Sequence, residues 1–187
     1  MTRVMRRAGI PLWYTEGFNR HPYLTFAAPL SLGYEGLHET MDLRLEEEMP
    51  MEELVRRINE AMPEGLCAVS AAEAVCKAGD LHSADYRLTF DAPLSEVTAL
   101  LARPEILVEK RNKKKELITL DIAPAFSEAK VRAEGDGTVM AVRLPCNSTQ
   151  TVNPGLFLTA LNAVSPCVRH CDVLRVELRT ADGRAFR

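Results

Sequence analysis

Apolar residues recur every three or four positions in residues 51–62, and charged residues fill the intervening positions. This spacing predicts an amphipathic helix with one buried face. Pro63 and Gly65 follow the last apolar residue and are expected to end the helix. Around it, β-branched and aromatic residues alternate with polar ones over short runs, which is typical of strands. The strands predicted in this part of the chain are residues 10–15, 23–31, 40–45 and 66–75.

The later part of the chain predicts a second set of strands and helices. Strands are expected at residues 86–90, 106–110, 117–122, 139–144 and 173–179, and helices at 94–101 and 154–162. Asn153 and Pro154 suit the beginning of the last helix, because Asn caps helix N-termini and Pro fits the first turn. The order βαββαβ, with some extra strand, is that of the ferredoxin-like split βαβ fold. We therefore predict an α+β protein.

The first part follows the same order of elements without its first strand and most of its first helix. Residues 77–83 form a polar hinge, so we predict two tandem ferredoxin-like halves, residues 1–78 and 79–187, the first incomplete at its N-terminus. Residues 1–8 resemble the end of a helix, with Gly9 as its stop. An incomplete layer predicts exposed apolar surface beside Val4 and Trp13, through which the chain could self-associate.

Composition limits the classes of function. The 187 residues include 23 Lys+Arg and 26 Asp+Glu, a net charge of −3, which argues against a strongly basic nucleic-acid binder. No apolar run approaches the roughly 20 residues of a membrane span, so we expect a cytoplasmic protein that does not associate with a membrane. The five cysteines are an odd number at irregular spacing, which favours reduced thiols. Cys167, His170 and Cys171 supply only part of a zinc site, which needs about four ligands, so we expect no metal.

One polar turn lies between the first two predicted strands. It comprises Gly17, Phe18, Asn19, Arg20, His21 and Pro22. The amide of Asn19 and the imidazole of His21 could contact a ligand or partner protein, and Pro22 stiffens the exit from the turn. Asn19 and His21 could equally serve the local structure, since Asn tolerates left-handed turns. No Ser, Cys or second His lies nearby to complete a nucleophilic set, so we expect no catalytic residues and no cofactor.

The chain has one dense basic run, between the strands predicted at residues 106–110 and 117–122. Its cations are Lys110, Arg111, Lys113, Lys114 and Lys115. Such a run can neutralise RNA phosphates without reading sequence. A solvated hairpin tip is the alternative interpretation.

Residues 6–22, RRAGIPLWYTEGFNRHP, resemble the signature of a bacterial family, the radical S-adenosylmethionine-associated (radical-SAM-linked) proteins, a domain of unknown function. The resemblance continues through residues 24–33 and 39–45 and the helix that follows. In the second half it rests on Lys113 to Lys115, on residues 120–124 (LDIAP) and on Asn153-Pro154. Arg20 and Tyr23 stand where the family commonly has Pro and Lys, and the opening strand and Ser-His-Leu-Asp helix start are absent.

The resemblance implies a partner, because members of this family are fused to, or encoded beside, a radical S-adenosylmethionine enzyme. Our first hypothesis is a non-catalytic accessory module that helps to present a substrate, with RNA as a candidate. A stand-alone RNA-binding or RNA-processing protein of ferredoxin-like fold is the second, since some repeat-processing endonucleases have two such domains and use a His. A purely structural interaction domain is the third.

Overall fold

The computed structural model describes residues 1–111, 115–165 and 170–187. The chain divides into two compact units. The first unit comprises Met1–Ala27, Thr40–Cys76 and Arg187, and the second comprises Ala28–Glu39 and Lys77–Phe186. The second unit therefore includes residues 28–39, which lie inside the predicted first half. Helices and strands are mixed, so the protein is of the α+β class.

The helices of the described chain are α1 (Thr2–Arg7), α2 (Met51–Ala61), α3 (Leu94–Leu101), α4 (Ala123–Phe126) and α5 (Gly155–Val164). The strands are β1 (Leu24–Phe26), β2 (Glu35–Gly36), β3 (Met41–Leu43), β4 (Leu81–Phe90), β5 (Leu107–Arg111), β6 (Leu117–Asp121), β7 (Lys130–Glu134), β8 (Gly137–Pro145) and β9 (Cys171–Thr180). No helix of these described ranges is long and apolar enough to cross a membrane.

The first unit packs α1 and α2 beside a two-stranded antiparallel sheet of β1 and β3. The predicted helix at 51–62 is confirmed as α2. Its apolar face meets that of α1 and the segment that follows α1. The buried residues of this core are Val4, Met5, Ile10, Leu12, Leu54 and Ile58.

Two arginines join α1 and α2 at their C-terminal ends. Arg57 of α2 donates from Nε to the carbonyl of Ala8, just after α1, at 3.0 Å. Arg7 of α1 donates from Nη2 to the carbonyl of Ala61, at the end of α2, at 2.7 Å. Each helix thus supplies a guanidinium to the C-terminal end of the other helix. There the last carbonyls lack intrahelical partners and the helix dipole is negative.

Two strand predictions in the first unit are wrong. Residues 10–15 form only single bridges, and residues 66–75 form no strand. In the latter segment, the amide and carbonyl of Ala68 are both bonded to the Asn59 side chain, at 2.7 and 2.9 Å, so a strand partner has no access to them. Val4 is buried against α2 and Trp13 is half-buried, whereas Tyr23, which contacts the Trp13 ring edge to face, is 44% exposed.

The second unit is built on a five-stranded sheet in the order β2-β9-β4-β8-β7. All neighbours are antiparallel except β2 and β9. Helix α3 lies in the connection from β4 to β7, and α5 in that from β8 to β9. From Ala84 to Phe90, the even-numbered side chains of β4 are buried on the face that carries the helices, where Phe90 packs on Phe157 of α5 with ring centroids 5.7 Å apart.

Agreement with the sequence is closer in this unit. Helix α3 spans the residues predicted for it, and α5 follows Asn153, whose Oδ1 accepts the amide of Gly155 at 2.8 Å. Strand β7 and helix α4 were not predicted. The sequence of β7, KVRAE, is mostly charged and exposed, so it lacks the alternation of apolar and polar residues that predicts a strand. β5 and β6 form a separate antiparallel hairpin.

Candidate functional site

The predicted turn, Gly17 to Pro22, lies in the first unit where the chain reverses direction. Tyr14 pairs with Pro22 in an antiparallel bridge, and the amide of Thr15 donates to the carbonyl of His21 at 2.9 Å. Gly17 has φ = +119°, a conformation that L side chains rarely adopt. The turn therefore depends on glycine at this position and is closed by backbone bonds at its base.

Hydrogen bonds fix the imidazole of His21. Its Nδ1 lies 3.2 Å from the carbonyl oxygen of Asn19 and 3.1 Å from Oγ1 of Thr15. A carbonyl can only accept, so we assign the neutral ring its proton on Nδ1. Nε2 then holds a lone pair on an exposed ring. The turn thus offers an oriented hydrogen-bond acceptor to an approaching molecule.

Phe18 is the most unusual side chain of the turn. It is 103% exposed, so none of its ring is covered by the rest of the chain. Asn19 and Arg20 beside it are also exposed. The structure therefore brings an aromatic ring, an amide, a guanidinium and an imidazole to one surface turn. Of these, aromatic and arginine side chains are enriched at the centres of protein interfaces.

Trp13 and Tyr23, on the two sides of the turn, stack with Arg44 in an arrangement that the sequence did not predict. The guanidinium carbon of Arg44 lies 4.5 Å from the ring centroid of Trp13, within cation–π range. Tyr23 meets Trp13 edge to face, with centroids 6.2 Å apart. The one Trp of the chain, four residues before Gly17, was the available signal. This stack holds the base of the turn in place.

The basic run lies in the second unit, on the β5–β6 hairpin. Arg111 and Lys115 are exposed, and Arg111 Nη1 donates to the Lys115 carbonyl at 3.5 Å. Lys110 lies opposite Ile118, and Arg111 lies opposite Leu117. Neighbouring residues of a strand face opposite sides, so Lys110 and Arg111 lie on opposite faces of the hairpin. Lys113 and Lys114 lie outside the described residues.

A buried ion pair in the second unit was also missed. Arg175 of β9 is 2% exposed and donates to both carboxylate oxygens of Glu39, at 2.8 Å through Nε. Its other bonds reach the carbonyls of Ala28 and Pro29, at 3.1 and 3.0 Å. Burial works against the charged guanidinium, but Glu39 and Tyr86 outweigh it and raise the pKa of Arg175. This pair fastens residues 28–39 to the sheet.

Two of the described cysteines, Cys146 and Cys171, have thiols that burial makes less acidic. Cys67, Cys76, Cys146 and Cys171 are all free. Burial raises the pKa of the Cys146 thiol, and burial together with Asp172 raises the pKa of Cys171 to about 12. Both thiols therefore stay protonated and are poor nucleophiles at neutral pH. Cys167, part of the incomplete zinc pattern, lies outside the described residues.

No group of three or more His, Cys, Asp or Glu residues within residues 1–111, 115–165 and 170–187 could hold a metal ion.

Comparison with known proteins gives a family. A search of curated proteins found no match, and a search of solved structures found none either. A family model described as an uncharacterized protein conserved in bacteria (DUF2344) matches residues 1–154. The match includes the turn and the β5–β6 hairpin, while α5 and β9, with Arg175, follow it. The chain therefore belongs to the DUF2344 family of uncharacterized proteins conserved in bacteria.

Proposed function

We propose that this protein is a non-catalytic accessory module of the bacterial cytoplasm that docks onto a radical S-adenosylmethionine enzyme and presents that enzyme's substrate, for which RNA is the candidate. The radical chemistry belongs to the partner, whose cluster and cofactor supply it. The present chain contributes a docking surface, namely the turn from Gly17 to Pro22. The resemblance of residues 6–22 to the radical-SAM-linked proteins supports the choice of partner.

The observation that carries the docking surface is the complete exposure of Phe18. An aromatic ring in water forgoes the stabilisation of burial, about 25 cal/mol for each Å² of apolar surface. The Gly17 conformation and the backbone bonds at the base hold the turn in this shape before a partner arrives. A preformed turn loses little conformational entropy on binding. Phe18 is thus suited to enter an apolar pocket, with His21 and Asn19 bonding at its rim.

Co-purification tests this proposal. The full chain, with an affinity tag, is co-expressed with the radical S-adenosylmethionine enzyme that the resemblance implies is encoded beside it, and the complex is recovered through the tag. We expect a stoichiometric complex with the wild type. Phe18→Ala should weaken it about 30-fold or more, since a central aromatic anchor contributes about 2 kcal/mol or more.

Leu32→Ala is the matched control. Leu32 is 104% exposed and precedes Gly33, which has φ = +83°, so it too projects from a glycine turn. We expect this variant to bind the enzyme like the wild type. Equal losses in the two variants would place the docking surface elsewhere. Failure of the wild type to bind the enzyme would contradict the partnership itself.

A second candidate function, RNA binding by the chain alone, is favoured by the exposed cations of the β5–β6 hairpin. Arg111 and Lys115 lie within one short segment, and Lys113 and Lys114 lie between them in the sequence. Replacing Lys113, Lys114 and Lys115 by Ala should weaken binding to all RNA sequences alike, since phosphate contacts carry no sequence information. Unchanged affinity would remove the hairpin from RNA binding. If neither RNA nor the enzyme binds, a structural interaction domain remains.

We also propose that the second unit is ferredoxin-like and that the first half is a shortened copy of the same plan. The sheet order β9-β4-β8-β7, with α3 and α5 in the two crossovers, supports this for the second unit. For the first half, the support is the order α1, β1, β3, α2. A solved structure compared with ferredoxin-like domains tests both statements.

A further inference from the structure

The five-stranded sheet has one face that its own helices do not cover. Along β4, Tyr86 and Leu88 are buried toward the helices, whereas Arg87 between them is exposed. The same alternation holds on β8 from Met140 to Leu144, where Met140 is buried and Ala141 is exposed. Successive side chains of a strand point to opposite faces. The uncovered face, which we call the open face, therefore carries Arg87 and Ala141.

The strand register places one cationic side chain on each side of Ala141. Arg87 of β4 lies opposite Ala141 of β8, which lies opposite Lys130 of β7. Residues directly opposite each other share a face, so the three form one row across the open face. Neighbouring strands are about 4.8 Å apart, which separates the Cα atoms of Arg87 and Lys130 by about 10 Å. The small side chain of Ala141 leaves a shallow floor between two long cationic side chains.

These two cations are not neutralised. Arg87 and Lys130 are both exposed, and neither pairs with a carboxylate of the described residues. On the same face, one carboxylate, that of Asp85, serves two guanidiniums. Its oxygens accept from Arg143 at 2.6 Å and from Arg179 at 2.8 Å. Glu177 of β9 lies opposite Asp85 on the same face, so these two guanidiniums are matched by two carboxylates.

Other carboxylates near the row reduce its charge, and one of them is Asp172 of β9, which lies opposite Thr89 on the same face. Arg132 of β7 is paired with Glu134 at 2.6 Å, so that pair is neutral. Glu128 acts electrostatically on Arg143 and offsets part of its charge. Arg87 and Lys130 remain, in a chain whose net charge is −3. Their position side by side in one row is a property of the fold, since they are 43 residues apart in sequence.

We propose that the open face binds the phosphodiester backbone of single-stranded RNA, with phosphates held over Ala141 between Arg87 and Lys130 and a further contact at Arg143. This inference rests on the proposed function, because it assigns a surface for the RNA that the protein presents. β4, β7, β8 and β9 expose no aromatic side chain on this face, so bases have no ring to stack on. Binding is therefore to the backbone and independent of sequence.

Fluorescence anisotropy with a labelled oligouridylate tests the proposal on the full chain. In the double variant Arg87→Gln/Lys130→Gln, two phosphate contacts are lost. For single strands each contact contributes about 0.7 to the slope of log K against log salt. The slope should therefore fall by about 1.4, and affinity in about 0.1 M salt should fall about 20-fold. The control Arg103→Gln/Lys77→Gln makes the same change of charge at two other exposed residues and should lose less than about 3-fold.

Ala141 gives a second test that leaves both cations in place. Ala141→Glu sets a carboxylate between them and should reduce affinity at least as much as the double variant. Ala141→Gln, of nearly equal size and without charge, should retain most of the affinity. Thermal unfolding of each variant checks that the fold is kept, which we expect because Ala141 is exposed.

The outcomes separate the open face from other sources of affinity. Competition by inorganic phosphate or a mononucleotide as strong as that by oligouridylate would mean a site for small phosphates, and the inference would be wrong. It would also be wrong if Arg87→Gln/Lys130→Gln or Ala141→Glu bound RNA like the wild type, or if the control lost as much. The enzyme is absent from this assay, so failure here leaves the proposed partnership standing.

Discussion

Removing either partner of the Arg175–Glu39 pair should destabilise the second unit, and the two removals should differ in cost. Glu39→Ala leaves a guanidinium that is 2% exposed, whereas Arg175→Met leaves a carboxylate whose side chain is 22% exposed. An uncompensated buried charge costs about 3–5 kcal/mol. A carboxylate that reaches water loses less solvation, and Met fills most of the volume of Arg. We therefore expect Glu39→Ala to be the more damaging of the two.

The magnitude follows from the bonds that remain. After Glu39→Ala, Arg175 keeps its bonds to the carbonyls of Ala28 and Pro29, which offset part of the loss, so we expect about 3 kcal/mol. After Arg175→Met, the carboxylate stays partly hydrated while both carbonyls lose their donor, and we expect about 2 kcal/mol. Either value is a large share of the stability of a domain of this size.

Urea unfolding gives the global cost, and amide exchange at Leu37 gives the local one. The Leu37 amide donates to the carbonyl of Arg175 at 2.9 Å, so it reports on whether residues 28–39 stay docked. A loss of about 3 kcal/mol corresponds to exchange faster by about 100-fold. Glu35→Ala, at an exposed carboxylate of the same segment, should change stability by less than about 0.5 kcal/mol. Exchange at the wild-type rate in Glu39→Ala, or a larger cost for Arg175→Met, would refute the reasoning.

Three further predictions concern the second unit. Gly36→Ala should destabilise it by about 1–3 kcal/mol, because the new methyl would lie about 2.7 Å from Cγ of Glu39; wild-type urea unfolding would contradict this. Burial raises the pKa of the Asp85 carboxyl, but its two arginine partners outweigh burial and hold that pKa below its usual range. The ionised carboxylate therefore stabilises the fold above about pH 4, and this stabilisation is lost as the pH falls through the folded pKa. The difference in unfolding free energy between the wild type and Asp85→Asn should shrink on acidification. A difference that stays constant with pH would refute this. Tyr34→Phe removes the hydroxyl that donates to Asn153 at 2.6 Å and should cost about 1 kcal/mol in thermal or urea unfolding, and no change would mean that water replaces it.

Local sequence patterns predicted α2, α3 and α5, but they did not predict the contacts between segments that are distant in the sequence. Helix α3 spans the predicted residues 94–101, and α2 follows from its amphipathic spacing. The segment 66–75 also alternates like a strand, but its backbone groups near Ala68 are bonded to Asn59. Side-chain bonds of this kind compete with sheet formation and leave no trace in a hydrophobic pattern.

Arg175 shows why the buried pair was not predicted. In the sequence VLRVELR, simple alternation puts Arg175 on the same face as Glu177, the polar one. The pairing of β4 and β9 shifts register there, with Tyr86 opposite Arg175 and Asp85 opposite Glu177. A bulge of one residue thus turns Arg175 toward the buried face. Its partner is 136 positions away, so no local signal connects the two.

The course of the chain has a consequence for how this protein can evolve. Residues 28–39 belong to the second unit, although the residues on both sides of them belong to the first. A gene for residues 77–187 alone would lack β2 and would leave Arg175 without Glu39. A single crossover near residue 77 therefore does not exchange the two units as intact modules.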